Sequence, residues 1–357
     1  YAADAYARLK GCGACCVTYS VGGMNIMNPV AGAFAERSPV VVLVGKPSIE
    51  DLKANPNKHH TINDEHTQKT IFDNVVCNSI SLDADSIVEN MGRISYAFQS
   101  MKFHSRPIYI EFSNKDIIRE ISQADLNEFK VFDKAFDKDS SGAWTRHVLS
   151  GFRPGIDRIF RTASNRVLIL GHEIFRTSLE CLVMDFATKL NIPVFTTMLG
   201  KSTISEIDPI AMGTVSQLTS DPAITKAIAK SDCIITMGMS NTDVDGFTFT
   251  PHFMVNMSEG VAIKGEHQGT PDFRNMVTEF CNHFTDIEPQ SEEIMEPWRE
   301  LTSTMTLFPT SQENYDNVTL EYIFNTIGQN IEDEHIVISD IGESLFGMIN
   351  VPVTRGQ

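Results

Sequence analysis

Residues 17–48 read VTYSVGGMNIMNPVAGAFAERSPVVVLVGKPS, and this stretch decides how the amino-terminal part of the chain folds. The apolar run 14–17 leads through a short polar segment to Gly22-Gly23, which predicts a buried strand that breaks into a tight turn. Small and apolar residues then recur at helical spacing from 24 to 35, and Pro39 ends that helix. The β-branched run 39–45 predicts a strand buried on both faces of a parallel sheet.

Both strand ends of this unit carry residues that suit a binding site. Ligands of parallel α/β sheets bind beyond the carboxyl ends of the strands. The Gly22-Gly23 turn follows the first strand, and the loop after the second strand contains two adjacent histidines, His59 and His60. The glycines are equally consistent with close packing of a helix, and the histidines with an exposed loop. Adjacency of the histidines after a strand end favours a functional role.

Length and charge exclude several classes of protein. The chain has 357 residues and a formal net charge of −17, which allows two to three domains and a large core. The negative charge argues against nucleic-acid and anionic-membrane partners, because both bind clustered Lys and Arg side chains. The sequence has no run of about 18 consecutive apolar residues, so a transmembrane helix is not expected.

The cysteines predict a reducing environment. Their number, seven, is odd, and Cys15, Cys16 and Cys233 lie in apolar runs. This pattern predicts reduced thiols in the core of a cytoplasmic protein. Cys12 and Cys15 have the spacing of a redox or metal-binding pair, but no second pair or histidine cluster follows at ligand spacing. We therefore interpret this pair as core packing.

The remaining chain alternates predicted strands and helices, which is typical of consecutive doubly wound parallel-sheet domains of the α/β class. Strands are predicted at 75–80, 106–112, 166–172, 192–197 and 232–238, a strand and turn at 336–344, and helices at 86–101, 154–163, 177–190 and 320–327. Charged or Pro-, Ser- and Thr-rich stretches separate the domains. The predicted segments are a first domain at 1–113, a linker at 114–142, a central domain at 143–288, a linker at 289–312 and the start of a third domain at 313–357.

The central domain is predicted to be a scaffold. Two of its strands end in Gly171 and Gly238, which would suit a nucleotide site. No G-x-G-x-x-G motif follows either strand, however, so the glycines do not indicate dinucleotide binding.

Six segments of the first domain match one family in residue type and spacing. They are Tyr1–Arg8, Thr18–Gly22, Ala31–Glu36, Pro39, Gly45–Ser48 and His59–Thr61. With them the chain resembles the pyrimidine-binding domain of thiamine diphosphate-dependent 2-keto acid decarboxylases, most closely the pyruvate and indolepyruvate decarboxylase branch. The double histidine is characteristic of that branch. Further matches are Arg106–Glu111 in the first domain, Leu199–Ser202, Glu206 and Asp243 in the central domain, and the strand and turn at 336–344 at the start of the third.

The resemblance implies non-oxidative decarboxylation of a 2-keto acid, pyruvate or a larger aryl or alkyl analogue, to an aldehyde and CO₂. Thiamine diphosphate would carry the chemistry, together with Mg²⁺ whose ligands lie outside this chain. By analogy His59 and His60 would assist protonation and product release, because imidazole exchanges protons near neutral pH.

The resemblance also implies which residues contact the cofactor. Thr18, Val21 and Gly22 would line its pyrimidine side. Gly342 and Glu343 fall on the positions where a glycine turn presents backbone N–H groups to the diphosphate. An ordinary turn between a strand and a helix explains these two residues equally well.

The chain covers only a central part of the family's full length. It is expected to begin inside the first domain, after the glutamate that binds the aminopyrimidine, and to end before the Mg²⁺ ligands. We therefore expect the chain as given to be inactive. Catalytic pockets of this family form between the first domain of one subunit and the third of its neighbour, which implies a dimer or a homotetramer.

Two alternatives stay open. An acetolactate synthase-like carboligase would share the fold, although such enzymes usually lack the histidine pair. A non-catalytic, truncated paralogue with a binding or regulatory role is the other. The sequence does not specify which 2-keto acid is preferred or whether substrate activates the enzyme.

Overall fold

The computed structural model describes residues 1–55, 58–64, 66–83, 86–129, 150, 153–216, 222–240, 249–270, 272–303 and 318–353. The chain forms two compact units, Tyr1–Ser140 and Ser141–Gln357. The boundary between them falls in the stretch predicted as the first linker. Two short helices occupy the described part of that stretch, Asn114–Ile117 and residues 123–129.

The first unit is built on a parallel sheet whose four described strands have the order β1-β2-β4-β3. The strands are β1 Gly13–Thr18, β2 Val40–Lys46, β3 Asn78–Ser81 and β4 Ile108–Ser113. Six helices accompany them, namely α1 Ala2–Lys10, α2 Val21–Asn25, α3 Met27–Ala35, α4 Ile49–Ala54, α5 Thr67–Phe72 and α6 Ile87–His104. The predicted fold class is confirmed for this unit.

Strand β2 is buried on both faces, as its β-branched run predicts. Val42 and Val44 pack with Phe72 of α5 and Tyr109 of β4 on one face. Val41 packs on the opposite face, in the cluster that contains Ala97 and Met101 of α6. Alternate residues of a strand point to opposite faces, so a continuous apolar run fits a sheet with helices on both sides.

The predicted helix 24–35 is two helices, α2 and α3, which meet at Ile26. Pro29 explains the interruption. Proline has no backbone N–H and clashes with the preceding turn in a helix interior, whereas the first turn tolerates it. Because α3 begins at Met27, Pro29 falls within its first turn.

The second unit has a larger sheet, in which seven described strands have the order β11-β10-β9-β8-β5-β6-β7. They are β5 Arg166–Leu170, β6 Val194–Thr197, β7 Ala211–Val215, β8 Cys233–Met237, β9 Phe253–Asn256, β10 Gly260–Ile263 and β11 Glu266–Gly269. Strands β5 to β9 pair in parallel. The doubly wound α/β prediction is confirmed for this part.

Strands β10 and β11 differ from the parallel prediction, since β10 is antiparallel to both of its neighbours. The two-residue connection Lys264-Gly265 has positive φ at both positions, 50° and 80°. Such turns match the twist of antiparallel strands and close hairpins. A Lys-Gly pair is a weaker hairpin signal than Asn-Gly, and the sequence interpretation missed it.

The helices of the second unit complete its core. They are α9 at 153–162, α10 His172–Arg176, α11 Glu180–Lys189, α12 Pro222–Ala229, α13 Phe273–His283, α14 Glu292–Ser303, α15 Leu320–Asn330 and α16 Glu343–Met348. The labels α7 and α8 belong to the helices Asn114–Ile117 and 123–129 of the first unit. Phe160, Phe280 and Phe284 pack together with ring centroids 4.3 to 5.6 Å apart. This aromatic cluster lies within the main core of the unit.

Two segments differ from their predictions. Residues 292–303, placed in the second linker, form α14, whose Met295 and Trp298 are buried. Spacing of three residues puts both side chains on one face, while the acidic residues face solvent.

Around 336–340 no strand forms, and Ile338 is 90% exposed. A strand needs a neighbour to pair its backbone groups, and none lies beside this segment within the described residues.

All seven cysteines lie in the described residues, and none forms a disulfide. Cys233 and Cys281 are buried, and burial raises the pKa of each thiol to about 12. Cys12 and Cys16 are exposed. The core-packing interpretation is therefore wrong for Cys12, which lies in the turn before the edge strand β1. The prediction of a core thiol is also wrong for Cys16, which lies on the exposed face of that edge strand.

Candidate active site

A cavity of about 610 Å³, part of it open to solvent, lies at the carboxyl end of the first unit's sheet. Its wall combines residues from the turn after β1, the ends of β2 and β4, and the loop that precedes α5. The lining residues include Tyr19, Ser20, Lys46, Leu52, Thr61, Asp64, His66, Gln68, Tyr109 and Glu111. This is the edge of the sheet where the strand order predicts a ligand site.

The turn after β1 is held in an unusual backbone conformation. Ser20 is buried and has φ of 56°, a region that L residues rarely adopt. Val21 follows it and is 45% exposed, an unusual environment for a valine. Gly22 packs so closely on Thr18 that a Cβ atom would lie 2.9 Å from its Cγ2. The turn therefore presents an apolar side chain beside a position that lacks one.

The histidine pair is tied to this turn. Tyr19 donates a hydrogen bond from its hydroxyl to the backbone carbonyl of His59. The ring of His60 contacts Tyr19 edge-on with centroids 6.1 Å apart, and the two imidazole centroids are 3.6 Å apart. The structure thus brings His59 and His60 beside the turn that contains Val21. The rings do not form part of the cavity wall within the described residues, whereas the following Thr61 does.

The loop leads into α5 through a capping carboxylate. Asp64 accepts hydrogen bonds from the backbone N–H of His66 at 2.9 Å and of Thr67 at 2.7 Å. The Thr67 hydroxyl also donates to it, and these bonds lower the pKa of Asp64 below its usual value. A carboxylate that satisfies the free N–H groups at a helix start fixes where the helix begins. Gln68, in the first turn of α5, is held at the cavity as a result.

A buried ion pair closes the far side of the cavity. Lys46 Nζ lies 2.7 Å from Glu111 Oε1, and the Glu111 side chain is only 4% exposed. Tyr109 donates to the other carboxylate oxygen at 2.9 Å, and Lys46 also donates to Ser81. Sequence reasoning missed this cluster. The available signal was a charged residue at the end of each of two otherwise apolar strands, since a charge is rarely buried without a partner.

The second unit contains the other predicted contact residues. Gly342 has φ of 122° and caps the start of α16, and an added Cβ would meet no atom within 4 Å. Glu343 is the first residue of that helix and is exposed. The two residues form the expected glycine turn, although the strand predicted before it is absent.

Comparison with known proteins identifies the family of both units. Residues 1–71 match the family model described as the N-terminal TPP binding domain of thiamine pyrophosphate enzymes. Residues 157–266 match the central domain of the same enzymes. The chain belongs to the thiamine diphosphate-dependent enzymes. The predicted family is confirmed, thiamine pyrophosphate being another name for thiamine diphosphate.

The similar proteins place this thiamine diphosphate-dependent chain in the 2-keto acid decarboxylase branch. An indole-3-pyruvate decarboxylase of Azospirillum brasilense is 30% identical over 247 residues, which is 69% of this chain and 43% of that protein. Pyruvate decarboxylase 4 of Arabidopsis thaliana is 23% identical over 378 residues, covering 100% of this chain and 58% of that protein. A thiamine metabolism regulatory protein of Saccharomyces cerevisiae is 24% identical over 356 residues, covering 98% of this chain and 56% of that protein.

The chain spans about half the length of the curated relatives that it matches. Among the helices that the structure describes, none has both the length and the apolar character needed to cross a membrane. The same residues contain no group of three His, Cys, Asp or Glu side chains arranged to hold a metal ion.

Proposed function

We propose that the protein carrying this chain decarboxylates a 2-keto acid, pyruvate or a larger aryl or alkyl analogue, to an aldehyde and CO₂. The observation that carries the proposal is the hydrogen bond from Tyr19 to the His59 carbonyl, which holds the histidine pair beside the turn after β1. The similarity to pyruvate and indole-3-pyruvate decarboxylases supports it at the level of the family.

The residues of the turn fit the pyrimidine side of thiamine diphosphate. Val21 offers an exposed apolar side chain on which a flat heteroaromatic ring can lie. Gly22 packs closely on Thr18, which fixes the backbone beside Val21. Thr18, exposed at the end of β1, would border the same side.

On the diphosphate side, Gly342 and Glu343 would offer backbone N–H groups at the start of α16. Mg²⁺ would accompany the diphosphate through ligands that lie outside this chain. When bound, thiamine diphosphate supplies the electron sink that allows CO₂ to leave.

His59 and His60 would deliver a proton to the product and assist its release. Imidazole suits this role because it gains and loses protons near neutral pH. The bond from Tyr19 fixes the backbone of the pair, and the 3.6 Å separation of the rings lets one ring orient the other.

We propose further that the protein works as a dimer or homotetramer in the cytoplasm. Large apolar side chains are exposed on the first unit, Tyr6, Leu9, Tyr96 and Phe103 among them. Exposed apolar side chains on a protein surface favour self-association. The small-molecule 2-keto acid would be its substrate, with no nucleic acid or membrane as partner.

A second candidate is a non-catalytic binding or regulatory role. The similarity to a thiamine metabolism regulatory protein along 98% of the chain favours it. A carboligase of the acetolactate synthase type is less favoured, because such enzymes usually lack the histidine pair.

Replacing each histidine tests the enzymatic proposal. In the whole protein, His59→Gln and His60→Gln should each lower the rate of aldehyde release by roughly 10²-fold or more, the usual contribution of a positioned acid or base. The affinity for thiamine diphosphate should stay within about threefold, because the proposed contacts of the cofactor are Thr18, Val21 and Gly22 rather than the imidazole rings. Stopped-flow or coupled assays with pyruvate, phenylpyruvate and indolepyruvate measure the rate.

His104→Gln is the matched control, since His104 is exposed at the end of α6, before β4 begins. Its turnover should equal that of the parent. Unchanged turnover in both His59→Gln and His60→Gln would remove the pair from the mechanism. A parent protein that binds thiamine diphosphate but converts none of the three acids would support the regulatory role instead.

A further inference from the structure

A continuous chain of hydrogen bonds links the turn after β1 to the buried ion pair. The Ser20 backbone N–H donates to Gln68 Oε1, and Gln68 Nε2 donates to the Tyr109 hydroxyl at 2.9 Å. Tyr109 donates to Glu111 Oε2 at 2.9 Å, and Lys46 Nζ donates to Glu111 Oε1 at 2.7 Å. The family assignment gives this series of hydrogen bonds no role, although the series begins at the Ser20 backbone N–H, next to Val21.

The direction of every bond in this chain is determined. A backbone N–H can only donate, so the oxygen of the Gln68 amide must face Ser20 and its nitrogen must face Tyr109. The single proton of Tyr109 is then free for Glu111. Burial, together with the neighbouring charge of Glu111, raises the pKa of Tyr109 and keeps its hydroxyl a donor. Lys46 balances the carboxylate charge, which completes the network.

The side chains in this network are buried and closely packed. Gln68 and Ser20 are each 7% exposed, and Tyr109 is fully buried against Phe72. A Cβ atom on Gly23 would lie 2.5 Å from the Gln68 amide nitrogen. Only glycine at this position therefore lets the amide reach the Ser20 N–H. An amide enclosed in this way has little freedom to rotate, and a lost bond would leave a buried polar group unpaired.

Gln68 also belongs to the segment that follows the histidines. Asp64 fixes the start of α5, and Gln68 lies in the first turn of that helix. Its side chain therefore connects the segment that follows the histidines to the turn after β1 through the bond to the Ser20 N–H. Tyr19 makes the second connection between them through its bond to His59.

We propose that Gln68 is the positioning residue for the Ser20–Gly22 turn, and that Tyr109 with the Glu111–Lys46 pair holds its amide in the required orientation. The role of that turn in cofactor binding rests on the proposed function. The conformation of the turn itself does not, and the two can be measured separately.

Amide exchange at Ser20 tests the positioning step without any cofactor. In Gln68→Met the acceptor is gone, so the Ser20 N–H should exchange at least about tenfold faster, the equivalent of one net hydrogen bond. Gln68→Glu keeps an oxygen for the Ser20 N–H but cannot donate to Tyr109 and adds a negative charge near Glu111, so its exchange should lie between that of the parent and that of Gln68→Met. NMR of the uniformly labelled chain measures both rates.

Gln99→Met is the matched control, because Gln99 lies on α6 and bonds only weakly to Ser95 at 3.4 Å. Its Ser20 exchange should equal that of the parent. Tyr109→Phe gives a second route, since it leaves Gln68 in place but removes the partner of Nε2. Its Ser20 exchange should be faster than that of the parent and slower than that of Gln68→Met. A cooperative thermal transition in each variant shows that the unit is folded.

Cofactor affinity of the whole protein then separates the two claims. Gln68→Met should weaken the apparent affinity for thiamine diphosphate by about tenfold, with KM for the keto acid within about twofold. Unchanged Ser20 exchange in both Gln68→Met and Tyr109→Phe would overturn the positioning role. Faster exchange with unchanged cofactor affinity would uphold that role and contradict the assignment of the turn to the cofactor.

Discussion

The two units each contain a buried lysine–glutamate ion pair, and the pairs are alike in geometry but differ in their surroundings. The distance from Nζ to the nearest Oε is 2.7 Å in both Lys46–Glu111 and Lys201–Glu206. The lysine side chains are 19% and 17% exposed, and the glutamate side chains 4% and 5%. The other hydrogen bonds of the two pairs differ. The first pair bonds to side chains at the candidate site, and the second pair bonds to the backbone of another segment.

In the second unit the pair binds the backbone of a distant segment. Lys201 Nζ donates to the Ile349 carbonyl at 2.9 Å, and Glu206 Oε2 accepts from the Val353 N–H at 3.1 Å. The backbone N–H of Glu206 also donates to the Val353 carbonyl at 3.0 Å, and Thr214 donates to the carboxylate. Residues 349–353, which follow α16, are thus held to the connection between β6 and β7.

In the first unit the partners of Lys46 and Glu111 are side chains, Ser81 and Tyr109, next to a cavity that opens to solvent. Glu206 also borders a cavity, of about 400 Å³, but the second pair is bonded to the backbone of Ile349 and Val353, whereas the bonded partners of the first pair are side chains. Burial lowers the pKa of Lys201, and the charge of Glu206 opposes that shift only in part. Breaking the second pair should therefore cost more than breaking the first.

The largest expected effect distinguishes the two glutamates. Glu206→Gln should lower the free energy of unfolding by about 3 to 5 kcal/mol, the usual result of leaving a buried charge unpaired. Glu111→Gln should lower it by about 2 kcal/mol, a value typical of a lost hydrogen bond to a charged group. Urea denaturation, with amide exchange to assign each unit, measures both.

The exposed Glu288 provides the control variant Glu288→Gln, which should match the parent within about 0.5 kcal/mol. The amide of Val353 should lose protection in Glu206→Gln alone. An equal or larger loss of stability in Glu111→Gln would show that the backbone bonds of the second pair add nothing to its stability.

A pH series addresses the lysine of the second pair. Because the pKa of Lys201 is lowered on folding, the unfolded chain keeps its proton to higher pH than the folded chain does. Between the lowered pKa and the ordinary lysine value of about 10.4, the unfolded state binds more protons, so stability rises with pH. The parent should therefore gain stability relative to Lys201→Met as the pH approaches about 10.4.

Chemical denaturation of both proteins from about pH 7 to about pH 11 measures this difference. Lys226→Met is the control, since Lys226 is exposed on α12 and its replacement removes the same charge as Lys201→Met. A constant difference between the parent and Lys201→Met over the whole range would contradict the lowered pKa.

The smallest expected effect concerns the neutral partners of the two pairs. Ser81→Ala removes one hydrogen-bond acceptor of Lys46. Lys46 keeps its bond to Glu111 and still borders the cavity, so the free energy of unfolding should fall by about 0.5 kcal/mol. Thr214→Val removes bonds to both Glu206 and Thr196 at a residue that is 3% exposed, so the loss should be about 1 to 2 kcal/mol. Thermal unfolding of the two variants compares them, and a reversed order would count against the difference between the hydrogen-bond partners of the two pairs.

Local patterns predicted the parallel strands β1 to β6 and β8, missed β7 and β9 to β11, and predicted the interruptions poorly. The apolar run 39–45 became β2, shifted by one residue, because continuous β-branched residues suit only a strand covered on both faces. The break at Ile26 was missed because apolar periodicity continues through Pro29. The helix α14 was missed because the stretch 289–312 that contains it is acidic and Pro-, Ser- and Thr-rich, which suggested a linker, although Met295 and Trp298 already had helical spacing.

The same limit applies to the candidate site. His59 and His60 were found from their position after a strand end, and the structure places them beside the turn at Val21. Their chemical role stays a prediction. Lys46 and Glu111 were overlooked because they are 65 residues apart in sequence, and neither charge has a meaning without the other.

The family, the mainly parallel α/β character of both units and the histidine pair could be read from the amino-acid sequence. These follow from short-range patterns and from motifs whose residues are close in the chain. The network of Gln68, Tyr109, Glu111 and Lys46 under the Ser20 turn became visible only in the folded chain. The physical reason is that a buried polar group is stable only with its partners, and those partners come from strands and helices that are distant in sequence.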